Sequence, residues 1–163
     1  AGIRTYWSTY FDDIHGVIFC VDASDQDRLE ESKKHFAEVA AAEKVQGKPI
    51  AIFCNKQDLK NCLSAAEVAL ALGVDVDSDL VKVFTTTALV KEGGSIDPNI
   101  IEGMAWMCGA VDKQMPSLGE RVKSDIESRK EAEKKIKAEK RRAVEERKKA
   151  EAEKAASKQE IKS

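Results

Sequence analysis

The sequence predicts an α/β fold, a doubly wound parallel sheet followed by one long C-terminal α-helix. Three short apolar runs rich in β-branched residues alternate with segments of helical periodicity. This alternation favours parallel pairing of the strands, with helices on both faces of the sheet. Residues 117–163 contain no proline and are dominated by Lys, Glu, Arg and Ala, which are strong helix formers.

The first strand is predicted over residues 16–22, where a continuous apolar run indicates a strand buried on both faces. Ser24 offers an N-cap for the next helix, with Asp27 three residues later. Residues 47–49, Gly-Lys-Pro, are predicted to end that helix. Its apolar positions recur at helical spacing and are Leu29, Phe36, Val39 and Ala40.

Two further strands are predicted over residues 50–54 and 81–85. Between them, Ser64 and Glu67 have the spacing of a capping box, and Gly73 is predicted to end the short helix that they begin.

The last helix is predicted to begin with Asp97 as its N-cap and Pro98 as its first residue. Its predicted apolar face consists of Ile101, Met104, Ala105, Cys108 and Val111.

The charge distribution divides the chain into two predicted units. Residues 117–163 carry 16 basic and 11 acidic side chains, whereas residues 1–116 carry 11 basic and 18 acidic ones. We therefore predict a globular domain over residues 1–115 and a charged helix or coiled coil over residues 116–163. The net charge of −2 favours neither nucleic acid nor a membrane surface as a partner. No apolar stretch approaches the roughly 20 residues that cross a bilayer.

The four cysteines lack the spacing of a metal site. Cys20 and Cys54 lie inside apolar runs, and neither Cys62 nor Cys108 completes a C-x-x-C pair. Nothing in the spacing suggests a secreted disulfide framework. The pattern favours buried, reduced thiols.

Polar motifs end the second and third strands, at the edge where parallel sheets bind ligands. Asn55-Lys56-Gln57-Asp58 follows the second strand, and Thr85-Thr86-Thr87-Ala88-Leu89 ends the third. Guanine presents N1–H and its N2 amine as adjacent donors, which the Asp58 carboxylate can accept as a bidentate, charge-assisted pair. The Lys56 stem can cover the purine ring, and the Ala88 N–H can donate to guanine O6.

Asn55 can bind the other face of the base and tie the two loops together. Adenine would place an amine where O6 belongs and leave Asp58 unpaired, so such a site would select guanine. A polar loop that only caps the following helix is the alternative interpretation. The candidate base-binding residues are Asn55, Lys56, Asp58, Thr87, Ala88 and Leu89.

At these motifs the chain resembles the Arf and Arf-like small GTPases, over roughly residues 3–111. The resemblance implies the C-terminal part of a small-GTPase (P-loop NTPase) domain, with GTP or GDP and Mg²⁺ as cofactors. It also implies a nucleotide-sensitive surface for partners at Arg4, Trp7 and Tyr10. The segments that carry it are WSTYF at 7–11, GVIFCVDASD at 16–25, FCNKQDL at 53–59 and SAAEV at 64–68.

Within the family, residues 3–7 and the extended last helix are similar to the subfamily of ADP-ribosylation factor-like protein 13. This similarity implies a ciliary, membrane-associated GTPase that acts in signalling as a guanine nucleotide exchange factor for a smaller Arf-like GTPase. It also implies effectors as partners, and membrane attachment through an N-terminal lipid anchor outside this chain.

The sequence departs from the family pattern in the phosphate-binding elements. It contains no G-x-x-x-x-G-K-[ST], no switch-one Thr and no Asp-x-x-Gly before the second switch. Those elements hold the phosphates, Mg²⁺ and the attacking water. They normally precede the position of Ala1, so we assign no catalytic residue or metal ligand here. We expect the chain alone to bind GTP weakly and not to hydrolyse it.

Three interpretations of the charged tail stay open. A solvated single helix is favoured by the scarcity of apolar residues and by i,i+4 pairs such as Glu131–Lys135. A basic surface binder is suggested by residues 140–142 and 147–149, but acids interrupt them and no aromatics interleave, so nucleic acid is not expected. A weak coiled coil is suggested by Leu118, Val122, Ile126 and Ile136.

Two other functions compete with a regulatory GTPase. A structural interaction protein would use a nucleotide-free G-like fold only to display the coiled-coil tail. The residues upstream of Ala1 would distinguish it from a GTPase. A receiver-type signalling domain would need paired N-terminal acidic residues, which are missing here, and it gives no role to residues 55–58.

Overall fold

The predicted order of strands and helices is confirmed in a computed structural model, which describes residues 7, 10–75, 78–90 and 93–160, the last ten of these by backbone alone. It divides into two compact units, residues 1–123 and 124–163. The domain boundary predicted at residue 115 stays a prediction. The elements are β1 (Val17–Asp22), a 3₁₀ turn (Gln26–Arg28), α1 (Leu29–Ala41), β2 (Ile50–Asn55), α2 (Ala65–Leu72), β3 (Val81–Thr85) and α3 (Pro98–Glu160).

The described strands form one parallel sheet in the order β1-β2-β3. The register pairs Asp22 with Asn55 and Cys54 with Thr85. Because the strands are parallel, all three carboxyl ends lie at one edge, which is where the polar motifs begin.

Helices cover both faces of the sheet, as predicted. On one face, α1 and α2 contribute Phe36, Val39, Val68 and Leu72 to a core with Val21, Ile50, Ile52 and Cys54. On the other face, Met107 of α3 packs in a second core with Ala51, Phe53 and Phe84. A fully buried side chain of this size contributes about 1.5–3 kcal/mol, so these two cores hold the loops at the sheet edge in place.

The prediction that β1 is buried on both faces is wrong. Ile18 is 42% exposed and Cys20 is exposed. In the described part of the chain β1 is an edge strand, and α3 covers its neighbours Ala51 and Phe53 instead. The prediction of buried thiols is confirmed for Cys54 alone, because Cys20 and Cys108 are exposed and Cys62 is half-buried. Burial raises the pKa of Cys54 to about 11.

The start of α1 also differs from the prediction. Asp25, not Ser24, caps the 3₁₀ turn by accepting a hydrogen bond from the Arg28 N–H. Ser24 is engaged elsewhere, because its hydroxyl and its N–H both donate to Asp22. The helix ends at Ala41 rather than at residues 47–49, since Ala42 leaves the helical region for an extended conformation.

Both predicted ends of α2 are confirmed. The Ser64 hydroxyl accepts from the Glu67 N–H, and the Glu67 carboxylate accepts from the Ser64 N–H. Gly73 ends the helix in the left-handed conformation, with φ of 70°.

The predicted apolar face of α3 is largely wrong. Ile101 is 60% exposed, and Met104, Ala105 and Cys108 are also exposed. The helix instead packs through Gly103, where an added Cβ would lie 2.4 Å from Phe53 Cε1. A glycine permits this close approach but carries no apolar signal in a sequence pattern. The face that meets the sheet is therefore rotated away from the predicted stripe.

The helix α3 continues through Pro116 without a break, so the charged tail predicted over residues 116–163 begins inside a helix that starts at Pro98. The Ser117 hydroxyl donates to the Gln114 carbonyl within the same helix. Leu118 and Val122 are buried and belong to the first unit, so the coiled coil suggested by them stays a prediction. Residues 131–150 are exposed throughout.

Arg121 fixes this part of α3 to the loop after α1. Its two terminal nitrogens donate to the carbonyls of Gln46 and Glu43, both at 2.6 Å. A proline within a helix costs about 3 kcal/mol, and these charged hydrogen bonds, together with the burial of Leu118 and Val122, offset it.

Candidate functional site

The loops that follow β2 and β3 are joined by hydrogen bonds. The Ala88 N–H donates to Asn55 Oδ1 at 2.9 Å, and the Gln57 N–H donates to the Thr86 carbonyl at 3.2 Å. The two loops are therefore linked, and the candidate base-binding residues lie on both of the linked segments.

The Ala88 amide is the predicted donor to guanine O6. Ala88 is exposed, but its N–H already donates to Oδ1 of Asn55, a half-buried residue. A base that binds here must share this donor with Asn55 or take it over. The geometry thus brings Asn55 and Ala88 together, while the contact with a base stays a prediction.

Lys56 has an unusual backbone conformation. Its φ is 70°, in the left-handed region that costs a non-glycine residue about 1–2 kcal/mol. Its carbonyl accepts from the Leu59 N–H at 3.0 Å and from the Cys62 thiol at 3.0 Å. Its ammonium pairs with Asp22 Oδ2 at 2.6 Å. Three contacts therefore hold a strained residue in place.

Asp22 ends β1 at the same edge of the sheet. One oxygen pairs with Lys56, and the other accepts from the Ser24 N–H at 3.1 Å and from its hydroxyl at 2.6 Å. The Lys56 ammonium, followed by the Ser24 hydroxyl, lowers the pKa of Asp22 from 3.8 to about 2. Asp22 is therefore ionised at any pH near neutrality.

Asp58 is the residue on which guanine selection depends in our prediction. Its side chain is exposed, and the described residues offer its carboxylate no hydrogen bond or ion pair. A carboxylate in this state keeps both oxygens available as acceptors, which is what two adjacent donors require.

Gln57 and Cys62 support the first loop from within. Gln57 Nε2 donates to the Leu63 carbonyl at 3.0 Å, and Cys62 Sγ lies 2.8 Å from the Leu59 carbonyl. These side chains satisfy backbone oxygens that regular secondary structure would otherwise bind.

The second loop is anchored to the start of α3. Thr86 is buried, and its N–H donates to the Cys54 carbonyl at 2.9 Å. The Thr87 N–H donates to Asp97 Oδ2 at 2.7 Å, while Asp97 Oδ1 accepts from the Asn99 N–H as an N-cap. Asp97 thus serves both the predicted cap and the loop. Leu89 is exposed beyond this anchor.

The three predicted partner-binding residues differ in what the structure describes. Arg4 lies outside the described residues. Trp7 is half-buried, and its ring meets that of His35 edge-on at 6.3 Å. Tyr10 is 65% exposed, as a contact residue would need to be.

Sequence reasoning missed Asp22, Gln57, Cys62 and Asp97 as residues that shape this site. A signal existed for Asp22, because it ends a parallel strand at the same edge as Asn55 and must lie near it. No comparable signal pointed to Cys62, whose role depends on the conformation of the loop.

The part of the chain that the structure describes contains neither a metal-binding cluster nor a membrane-spanning helix. No group of three or more His, Cys, Asp or Glu side chains in that part of the chain could hold a metal ion. No described helix has the length and apolarity of a membrane span.

Comparisons with known proteins show the family to which the sequence is similar. The sequence model of the ADP-ribosylation factor family matches residues 1–111. The chain is 38% identical over 125 residues to ADP-ribosylation factor-like protein 13B of Chlamydomonas reinhardtii. The aligned region covers 77% of this chain and 24% of that protein. The chain is also 33% identical over 113 residues to ADP-ribosylation factor-like protein 1 of Caenorhabditis elegans, covering 69% of this chain and 59% of that protein.

A solved structure has the same fold. The Arl6 BBS3 small GTPase of Trypanosoma brucei, with the bound nucleotide analogue GppNp, superposes with a TM-score of 0.59 at 28% identity. The match covers 68% of this chain and 66% of that one. The chain thus spans between a quarter and three-fifths of the length of the two curated relatives described above.

Proposed function

The chain belongs to the ADP-ribosylation factor family of small GTPases, and from that premise we propose that its two joined loops are the base-recognition half of a guanine-nucleotide site. The proposal assigns recognition to Asn55, Lys56, Asp58 and Ala88, with Thr87 and Leu89 at the border of the site. Guanine nucleotide binding is what membership of this family implies, and the assignment of these residues is our proposal.

The observation that supports it most directly is that two linked loops present an exposed carboxylate. The Asn55–Ala88 hydrogen bond holds the loops together, while the Asp58 carboxylate has no protein partner among the described residues. A charged hydrogen bond contributes about 1.5–3 kcal/mol, so two donors on one base edge bind Asp58 better than one. Adenine lacks this pair of donors and leaves the carboxylate unmatched.

The site is tested by titrating the chain with GMP and with AMP while recording ¹⁵N-NMR spectra. We expect GMP to shift the amides of Ala88 and of residues 55–58, and AMP to shift them far less. Asp58→Ala should weaken GMP binding about tenfold or more, the loss expected for charged hydrogen bonds. Asp112→Ala removes an exposed carboxylate on α3 and serves as the matched control. Equal responses to GMP and AMP would contradict the proposal.

Tight nucleotide binding needs phosphate contacts that this sequence does not provide. No G-x-x-x-x-G-K-[ST] occurs in it, and that motif supplies the backbone N–H groups around the phosphates. We therefore propose that base recognition is supplied here and that phosphate and Mg²⁺ binding belong to other elements of a complete GTPase. In the test above, GTP is then expected to bind the chain no more tightly than GMP.

For the complete protein we propose a regulatory role, as an exchange factor for a smaller Arf-like GTPase at the ciliary membrane. Support comes from the similarity to ADP-ribosylation factor-like protein 13B and from the exposed Tyr10 in the segment expected to meet partners. The release of fluorescent GDP from a panel of Arf-like GTPases measures this activity. Deleting residues 124–163 separates binding through the globular unit from binding through the helix. No acceleration of release for any member would contradict the exchange role.

The alternative is a scaffold that presents a coiled-coil tail. It is favoured only if guanine nucleotides fail to bind and the tail self-associates. The exposed positions of Ile136 and Val144 supply few apolar contacts for such a coil. Sedimentation of residues 117–163 at increasing concentration measures that association.

A further inference from the structure

The side chain of Lys56 is held from outside its own loop. Its ammonium lies 2.6 Å from Asp22 Oδ2, and Asp22 belongs to β1, a different strand from the one that leads into the loop. The side chain of Lys56 is 50% exposed and that of Asp22 is 23% exposed, so water reaches the pair but does not surround it.

Asp22 is itself fixed in one orientation. The Ser24 hydroxyl and N–H both donate to its Oδ1, which leaves Oδ2 directed to Lys56. The Ala23 N–H donates to the Asn55 carbonyl at 3.0 Å, so the backbone beside Asp22 is also bonded to the residue before Lys56. The carboxylate thus has little freedom to follow the ammonium if the loop moves.

The backbone of Lys56 needs such support. Its left-handed conformation is uncommon for a residue with a long side chain, and strain of this kind clusters at functional sites. The Leu59 and Cys62 contacts hold the Lys56 carbonyl, whereas only the Asp22 contact among the hydrogen bonds and ion pairs of the described residues holds its side chain. The stem between these two anchor points is the part that would cover a purine ring.

We propose that Asp22 is a positioning residue for base recognition, which acts on the nucleotide only through Lys56. Asp22 restrains the ammonium so that the methylene stem of Lys56 stays over the position of the base. This inference rests on the proposed guanine site and adds to it a residue from β1, outside the base-binding motifs.

The test is a double-mutant cycle on GMP affinity, measured by NMR titration of the 163-residue chain. Asp22→Asn removes the charge with little change in shape, and Lys56→Met keeps the apolar stem but removes the ammonium. We expect each single variant to weaken GMP binding about two- to fivefold, the range for a partly exposed ion pair. The double variant should bind no more weakly than Lys56→Met alone. Asp25→Asn, which removes an ion pair with Arg28 of the same 2.6 Å length, is the matched control and should leave GMP affinity unchanged.

Two outcomes would overturn the proposal. In one, Asp22→Asn leaves GMP affinity unchanged. In the other, Asp22→Asn weakens binding by the same factor with and without the Lys56 ammonium. Thermal melts followed by circular dichroism check that each variant folds. If Asp22→Asn does not fold, Asp22→Glu, which keeps the charge but displaces it by one methylene, takes its place in the cycle.

The Asp58→Ala variant keeps the two proposals distinguishable. If Asp58→Ala leaves GMP binding unchanged, the guanine site itself is wrong. If Asp58→Ala weakens binding while the cycle shows no coupling between Asp22 and Lys56, the guanine site stands and the positioning role fails.

Discussion

The carboxyl edge of the sheet and the charged stretch of α3 over residues 131–150 use similar side chains in opposite ways. At the sheet edge, polar groups bond to partners far away in sequence, as Asn55 does to Ala88 and Lys56 to Asp22. Along residues 131–150 every side chain is exposed. The nearby Arg129–Glu133 pair, at 3.8 Å, joins residues one helical turn apart.

The difference shows that position decides what a charged residue contributes. An exposed i,i+4 pair is worth a few tenths of a kcal/mol because water competes for both charges. A charged hydrogen bond that joins separate elements is worth up to about 1.5–3 kcal/mol where water is excluded, and on the order of 1 kcal/mol where, as for Lys56 and Asp22, it is partly exposed. We expect the effects of substitution to decrease from the packed and bonded sheet region to the exposed helix.

The largest effect is expected beneath the sheet edge. Gly103→Ala places a Cβ 2.4 Å from Phe53 Cε1 in a closed core and should destabilise the fold by about 1–3 kcal/mol. On the same helix, an added Cβ at Gly109 meets nothing within 4 Å. Gly109→Ala should stabilise the fold by about 0.5–1 kcal/mol. Urea unfolding measures whether each substitution raises or lowers the free energy of unfolding. Equal changes in the two variants would contradict the packing described for Gly103.

A second effect separates two arginines of α3. Arg121→Met removes both 2.6 Å hydrogen bonds to the Gln46 and Glu43 carbonyls and should cost about 1–2 kcal/mol. Arg141→Met changes an exposed residue and should stay within about 0.5 kcal/mol. Thermal melts compare them. A melting temperature for Arg121→Met as high as that of Arg141→Met would show that the anchor contributes nothing.

The third effect depends on pH. In the folded state the pKa of Asp22 is lowered from 3.8 to about 2. The ionised Asp22 therefore adds to the free energy of unfolding above about pH 4, and this contribution is lost as the pH falls towards 2. The contribution is on the order of 1 kcal/mol once solvent screening is allowed for. Asp22→Asn should therefore be less stable than the wild type at pH 6, and this difference should shrink at pH 2. A difference that does not change with pH would contradict the ion pair.

The smallest effect lies in the exposed helix. Glu133→Ala removes one partner of the Arg129 pair but adds a strong helix former, so stability should change by less than about 0.5 kcal/mol. Unfolding in urea with and without 0.5 M salt measures this change in the free energy of unfolding. A loss above 1 kcal/mol would mean that residues 131–150 are not simply solvated.

The sequence predicts the fold well where local chemistry decides it. The capping box of Ser64 and Glu67 and the left-handed Gly73 lie within one short segment, and both are confirmed. Strand positions and parallel pairing follow from apolar runs and from the helices between them. These features need no knowledge of distant residues.

Prediction fails where one element meets another. The exposed side of β1 depends on which strands α3 covers, and the buried face of α3 depends on a glycine that fits against Phe53. Ser24 has the chemistry of an N-cap, but its hydroxyl binds Asp22 instead. In each case a tertiary contact outweighed a local preference.

In the candidate site, too, the residues in local motifs were predicted and those that act through tertiary contacts were not. The motifs located Asn55, Lys56, Asp58 and Ala88 because residue type and strand position are local information. They did not reveal that Asp22 holds Lys56 or that Asp97 holds Thr87, because those contacts depend on the folded sheet and on the path of the loop.

The bond between the Ala88 amide and Asn55 has a consequence for discrimination between nucleobases. A purine that approaches this amide exchanges one satisfied hydrogen bond for another, and the net gain of such an exchange is small. The choice between bases should then depend on the edge that meets Asp58 more than on the oxygen that meets Ala88. Hypoxanthine, which keeps N1–H and the oxygen but lacks the exocyclic amine, should therefore lose one of the two hydrogen bonds to Asp58 and bind more weakly than guanine.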